Sequence, residues 1–392
     1  MKVICDRAAL LEAANNVGSI IPARSPSPAL SCVKIVATKT GSVGSLSLSG
    51  TDAEVSIQLS LTKVDVVQPG TAIVASDKLR AILSSIDDGD ATVTLELDGD
   101  LCHIKGSRSR FKLFAFPATD FPPIAELSAQ ANTRAQFPVM AGLLMRLISR
   151  TSFATARETS RFAINGVLLK RDGKKLEMVA TDGRRLALCR ATIKEKAGDD
   201  KAGATSCIIP TKALGLLQRV GHDPEEPVLL TITDNRAFFA FGEGGKDAKP
   251  AHATISTTLV EGAFPSYEDV IPKDQDKRIS AGRDELARAV RQASVLTNEE
   301  SRGVKMAFNS KDKSVKLSSR APEMGESEIE LGLNAYDGES IDISFNPQFI
   351  ADALKTIDEP EVIIELKAPN KPGLFKAGAD FMYVVMPVNL PA

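Results

Sequence analysis

Three stretches of the chain place apolar side chains at i, i+3, i+4 and i+7, the spacing of a helix that buries one stripe. They are residues 6–17, with Leu10, Leu11, Ala14 and Val17; residues 138–151, with Met140, Leu143, Leu144, Leu147 and Ile148; and residues 283–296, with Leu286, Ala289, Val290, Ala293 and Leu296. A second helix is predicted after each, over 76–86, 210–220 and 346–357, opened by Ser76, by Pro210 with Thr211, and by Asn346 with Pro347. The first helix leads the second by 70, 72 and 63 residues, counted from Asp6, Pro138 and Arg283 to Ser76, Pro210 and Asn346. Between and after the helices polarity alternates with period two, over 46–59, 91–104, 175–189, 228–241, 313–319 and 362–377. Asp98-Gly99 and Asp182-Gly183 sit where hairpins turn, and Asp234-Asn235 is a weaker turn signal. Each unit is expected to close on a strand ending in an apolar-Pro dipeptide: Phe121-Pro122, Phe264-Pro265 and Met386-Pro387, spaced by 143 and 122 residues.

An internal repeat decides the fold before any other feature does. The pattern predicts an α+β protein of three tandem domains, each with two helices packed on antiparallel sheets. The expected domains are 1–125, 129–268 and 269–392, with linkers near 124–130 and 270–280. Residues 194–204 and 242–250 read as polar loops.

Composition narrows the function classes. The 392 residues carry 48 Lys and Arg against 50 Asp and Glu, a net charge of -2, so no global excess announces nucleic acid or an anionic membrane. Trp is absent and Tyr numbers 3, which leaves few stacking platforms for bases. The first ten residues lack the apolar core of a secretory signal, and no stretch reaches the ~18 apolar residues of a membrane span. Cys5, Cys32, Cys102, Cys189 and Cys207 show no CxxC spacing and the three His are scattered, so neither a disulfide framework nor a metal site is expected. A reduced, cytoplasmic protein is the expectation, with no cofactor.

No catalytic pattern stands out. The run 242–246 (GEGGK) fails the phosphate-loop pattern because Asp247 follows the Lys, and 87–90 (DDGD) lacks the sixth-position Gly of a calcium loop. There is no GxSxG elbow. Charge is segregated, however. Arg146, Arg150, Arg157 and Arg161 face one acid, Glu158, and Lys212 and Arg219 lie on the next helix. The third unit adds Arg283, Arg288 and Arg291 against Asp284 and Glu285. Acid gathers at Asp87, Asp88 and Asp90, at Asp223, Glu225 and Glu226, and at Glu323, Glu326, Glu328 and Glu330. Several basic helices together would form a lining able to meet phosphates.

The segment 179–189 (VATDGRRLALC), with 161–166 (RFAING), 107–113 (SRSRFKL), 117–122 (PATDFP), 261–272 (EGAFPSYEDVIP), 296–306 (LTNEESRGVKM) and 383–390 (YVVMPVNL), resembles the bacterial sliding-clamp family, the beta subunits of DNA polymerase III. The likeness runs in order along the whole chain. It implies three clamp domains per chain and a head-to-tail homodimer forming a six-domain ring. Such a ring encircles duplex DNA without reading bases and tethers the replicative polymerase, with no catalytic residues of its own. It implies as partners the polymerase III alpha subunit, a clamp loader and other proteins carrying a clamp-binding peptide, and no membrane. A repeat-built interaction scaffold that never encircles DNA is the alternative.

The resemblance also implies sites. A partner-peptide pocket maps to Ile164, Thr181, Gly183, Arg184, Arg185, Leu186, Pro265, Val270, Val384, Val385, Met386, Pro387, Val388 and Leu390. It would take a short peptide carrying Gln and hydrophobic anchors. DNA-facing positions are Arg24, Lys78, Arg146, Arg150, Arg157, Phe162, Lys212 and Arg219. The dimer face maps to Lys78, Phe111, Val295, Leu296, Glu323 and Glu326. The chain departs from the family pattern at Arg184, Asp269 and Asn389 and in its Pro391-Ala392 extension.

Overall fold

The structure is a computed structural model. It describes every residue except 26, 88, 127–131, 157–162, 194–203, 243–250, 298–302, 322–323 and 390–392. Its described residues contain six helices: α1 (Arg7–Gly18), α2 (Ser76–Ser85), α3 (Ala141–Ser149), α4 (Thr211–Val220), α5 (Arg283–Ala293) and α6 (Pro347–Leu354). Each helix follows directly on a strand or within one residue of it, at Lys2–Asp6, Gly70–Ala75, Thr133–Met140, Thr205–Pro210, Lys277–Gly282 and Ile341–Phe345. The strand–helix, strand–helix order thus recurs three times, matching the predicted repeat.

The helix starts have local causes. The Asp6 carboxylate accepts from the Ala9 amide at 2.8 Å, and Asn346 accepts from the Gln348 amide at 2.9 Å ahead of Pro347. Asp284 and Glu285 in the first turn of α5 and Arg291 in its last turn complement the helix dipole. The second helix pattern was expected from Pro138, but residues 138–140 end a strand instead. There Pro138, Val139 and Met140 pair with Leu229, Val228 and Pro227. Likewise Phe121-Pro122 and Phe264-Pro265 lie outside regular strands, and only Met386-Pro387 directly follows one.

The predicted alternating runs become hairpins. Thr92–Asp98 pairs with Leu101–Lys105 across Asp98-Gly99, and Lys175–Thr181 pairs with Arg185–Thr192 across Asp182-Gly183. Gly99 and Gly183 take φ of +60° and +85°, the left-handed region that favours Gly.

Contacts gather the chain into two compact units, which are residues 1–145, 195–202 and 212–259, and residues 146–194, 203–211 and 260–392. The first holds a 13-stranded sheet, the second a 9-stranded and a 4-stranded sheet. Two units rather than three arise because sheets continue across repeat boundaries. In the first, Ala253–Thr258 pairs antiparallel with Val55–Leu61, setting Ile255 opposite Ile57. In the second, Arg185–Thr192 pairs with Phe381–Val385. Both Ile57 and Ile255 are fully buried. The five cysteines are buried and form no disulfide, and burial pushes Cys102 and Cys189 up to about 11. No described helix is long and apolar enough to cross a membrane. Among the described residues no group of three or more His, Cys, Asp or Glu could hold a metal ion.

Truncating a seam residue deletes buried methyl groups and leaves a cavity. Ile255→Ala is therefore expected to lower unfolding free energy by about 2–5 kcal/mol in urea titrations. A cost under about 0.5 kcal/mol, the ordinary scale of surface substitutions, would refute the seam as a packed core.

Candidate functional site

The second unit builds its most distinctive surface around one turn. Thr181-Asp182-Gly183-Arg184-Arg185 is locked by its own side chains. Asp182 Oδ1 accepts from the Arg184 and Arg185 amides at 2.9 and 3.0 Å, and Thr181 Oγ1 donates to the Arg185 carbonyl at 2.7 Å. The Gly183 amide donates back to Thr181 Oγ1 at 3.1 Å. This is an Asx-type closure, in which short polar side chains replace backbone partners.

From this turn the strand Arg185–Thr192 runs antiparallel to Phe381–Val385, with Arg185 opposite Val385, Leu186 opposite Val384 and Ala187 opposite Tyr383. Period-two geometry gives the seam two faces. On one face Leu186, Leu188, Val384 and the half-buried Met382 join Ala163, Val179, Ile208, Tyr267 and Leu374 in one apolar cluster. Val260, Phe264 and Ile271 pack against it. The segment 260–272 is pinned there: Val260 N donates to the Ile208 carbonyl at 2.9 Å, and the Tyr267 hydroxyl hydrogen-bonds the Glu177 carboxylate. Burial and that carboxylate raise the Tyr267 pKa, so the hydroxyl stays a donor. The chain leaves the strand with Met386 N donating to the Arg184 carbonyl at 2.9 Å and Val388 N to the Ser344 carbonyl at 2.8 Å.

Of the predicted pocket residues, Leu186 and Val384 form the cluster, and Thr181 and Gly183 shape the turn beside it. Met386 is 41% exposed, Val270 and Arg184 are exposed, and Ile164, Pro265, Pro387 and Val388 are half-buried. Arg185 and Val385 occupy the alternate positions of the seam. Leu390 lies outside the described residues. Tyr267, Phe264 and Ile208 belong to the same cluster but were not singled out. Their periodicity gave no sign, because the loop 260–272 meets the sheet only in three dimensions.

The opposite face carries the charges. The Arg185 guanidinium donates to Asp182 at 3.0 Å, to Asp352 on α6 at 2.9 Å and to the Phe153 carbonyl at 2.8 Å, and lies 4.4 Å from the Phe349 ring. Arg150 follows α3 directly and corrects an expectation. It was read as facing DNA, yet its side chain is only 2% exposed. Its guanidinium takes both Glu359 oxygens at 3.0 and 2.8 Å and lies 5.8 Å from the Phe381 ring. Burial alone would raise Glu359, but hydrogen bonds from backbone amides and from Arg150 outweigh it and hold the carboxyl below the ordinary range.

The other predicted DNA-facing residues scatter over both units. Arg24, Lys78 and Arg219 are exposed, Lys78 lying 3.4 Å from Asp77. Lys212 on α4 is ion-paired with Asp52, and Arg146 on α3 lies 3.7 Å from Asp380. Arg157 and Phe162 lie outside the described residues.

The expected dimer residues fall on two sheet edges. Phe111 is half-buried in the strand Arg110–Phe116, whose other face shows Arg110, Lys112, Phe114 and Phe116. That strand pairs along Leu101–Lys105 but meets Gly70–Ala75 only at Ala115 and Phe116, so residues 110–114 keep one free edge among the described residues. Glu326 sits on Gly325–Gly332, an edge strand of the 4-stranded sheet, with Glu328 and Glu330 exposed at the next alternate positions. Val295 is 74% exposed and Leu296 half-buried beyond α5, while Glu323 lies outside the described residues. Phe114, 74% exposed, and Met324 were not anticipated, though an aromatic on the charged face of an alternating strand was a visible signal.

Comparison with known proteins agrees across the chain. Family models for the DNA polymerase III beta subunit match in three parts, the N-terminal domain over 1–125, the central domain over 139–266 and the C-terminal domain over 268–389. The beta sliding clamp of Pseudomonas aeruginosa is 32% identical over 392 residues, covering 100% of both chains. That of Escherichia coli strain K12 is 30% identical over 349 residues, 88% of this chain and 89% of its own. Among solved structures, the Pseudomonas aeruginosa clamp bound to griselimycin matches with a TM-score of 0.87 and 31% identity over 100% of both chains. The Bacillus subtilis DNA polymerase sliding clamp matches with a TM-score of 0.87 and 26% identity over 100% of both.

A carboxyl held below its unfolded pKa contributes stability above that value and loses it as pH falls. Glu359→Gln is expected to melt below the wild type at neutral pH. The gap should narrow as pH falls below about 4.3, the ordinary glutamate value, toward the lower value held in the folded state. A gap independent of pH in thermal melts would refute the charge pairing.

Proposed function

The chain belongs to the family of DNA polymerase III beta subunits, and from that membership we propose that it works as a sliding clamp in DNA replication. The observation that carries this is the threefold recurrence of strand, helix, strands and helix under family matches that span the chain. A ring of two such chains encloses duplex DNA and holds the polymerase to its template by topology. No base contact and no bond chemistry are required of it.

Ring closure needs complementary ends. Residues 110–114 present a free edge with Arg110 and Lys112, and Gly325–Gly332 presents a free edge with Glu326, Glu328 and Glu330. Unpaired edges invite strand addition, and opposite charges directly across antiparallel strands stabilise it. The basic edge of one copy joins the acidic edge of the next, with Phe114, Val295 and Met324 covered between them. The contact is heterologous, and two copies close it.

Sliding follows from weak phosphate contact. Arg24, Lys78, Arg146, Lys212 and Arg219 supply cations without a base-reading array, and such contacts weaken steeply with salt. Partner proteins bind through the apolar groove around Leu186, Val384 and Met386. A short peptide lays its hydrophobic side chains there as anchors, and Met386 re-packs around different sequences. The polymerase alpha subunit, the clamp loader and other peptide-bearing proteins share that groove.

Two experiments test this. Loaded on nicked circular DNA by a clamp loader, the protein should be retained, then lost when the DNA is linearised. Retention on linear DNA would favour an ordinary binding scaffold. Arg110→Glu with Lys112→Glu is expected to raise the dimer dissociation constant at least tenfold in sedimentation. An unchanged constant would refute the edge pairing.

A further inference from the structure

The seam's second face is more than filler. Tyr383 stacks on Phe381 with centroids 6.3 Å apart and planes 9° apart, and lies 5.5 Å from Phe153 and 6.4 Å from Phe375. The Tyr383 hydroxyl donates to the Phe349 carbonyl at 2.9 Å. Arg150 closes this aromatic layer at the Phe381 end and Arg185 closes it at the Phe153 and Phe349 end. Each arginine comes from the middle of the sequence, and each is tied to a carboxylate over 160 residues away, Glu359 or Asp352. The layer therefore clamps strand 381–385 against strand 185–189 from behind, while Met382 and Val384 face the groove in front.

We infer that Arg150 is a positioning residue for the partner-peptide groove. Its Nη2, donating to both Glu359 oxygens, and its place 5.8 Å from the Phe381 ring fix where strand 381–385 lies, and that placement sets Val384 and Met386 as the groove's wall. Arg150 touches no peptide. It acts through Phe381, one residue from Met382, in a strand too short to absorb a shift locally. A buried arginine is suited to this because its charge-assisted hydrogen bonds to a carboxylate are short and directional, where an apolar residue would slide. This role rests on the groove reading above.

The test uses the full-length protein, Arg150→Met, and the double variant Arg150→Met with Glu359→Met. Two readouts are taken well below every melting temperature. One is hydrogen exchange of the amides in 185–192 and 381–385. The other is fluorescence polarisation with a labelled peptide bearing one Gln and Leu and Phe anchors. Arg150→Met is expected to raise exchange in 381–385 several-fold and weaken the peptide about fivefold. The double variant removes both charges and should regain thermal stability, since replacing a whole buried pair costs little. It should stay weak for peptide. Recovery of affinity together with stability would reduce Arg150 to a structural strut and overturn the inference, as would unchanged exchange in Arg150→Met. If the wild type itself fails to bind the peptide, the groove reading falls, and exchange in 381–385 still decides whether Arg150 positions the strand.

Discussion

Backbone hydrogen bonds that run straight across the boundaries of the repeat hold this architecture together. A two-helix, few-strand unit of this size leaves open sheet edges, and open edges either aggregate or find partners. Here the central repeat spends one sheet on the N-terminal repeat, through 253–258 and 55–61, and the other on the C-terminal repeat, through 185–189 and 381–385. Three sequence repeats thus become two compact units. Two of the edges that remain, at 110–114 and 325–332, are of opposite charge, which favours a contact between unlike edges of two copies over one between like edges.

The second seam also explains where the proposed groove would sit. Alternation sends Leu186 and Val384 forward and Arg185, Phe381 and Tyr383 back, so one strand pair serves both as an apolar floor and as the anchor of a buried ionic layer. An apolar groove on a free strand pair would be soft. Under the reading proposed above, a groove fixed from behind puts less binding free energy into ordering the site.

Much of this was legible in local patterns. The six helices follow from apolar stripes and from Asp6, Asn346 and Pro347, and the hairpins from Asp98-Gly99 and Asp182-Gly183. What local pattern misjudged depended on distant partners. Met140 continues an apolar stripe, but its segment is captured by the strand 227–233 before the helix begins. Arg150 sits among basic residues and reads as one of them, yet its partner is 209 residues away. Tyr267 and Phe264 join the apolar cluster from a loop with no periodicity. The turn 181–185 was readable because its hydrogen bonds close within four residues.

The near-neutral net charge of -2 gains a physical meaning from these pairings. Lys212 is engaged by Asp52, Arg146 lies near Asp380, Lys78 lies beside Asp77, and Arg150 is buried against Glu359 and Asp358. A cation already sharing its field with a carboxylate draws a phosphate less strongly than a bare one, and water and salt screen it further. A ring that holds DNA by closure gains nothing from tight phosphate contacts, since each would have to break at every step along the duplex. On the proposed clamp reading, paired cations would keep a passing duplex attracted but unbound. Balance between acid and base is therefore compatible with binding DNA when topology, rather than affinity, does the holding.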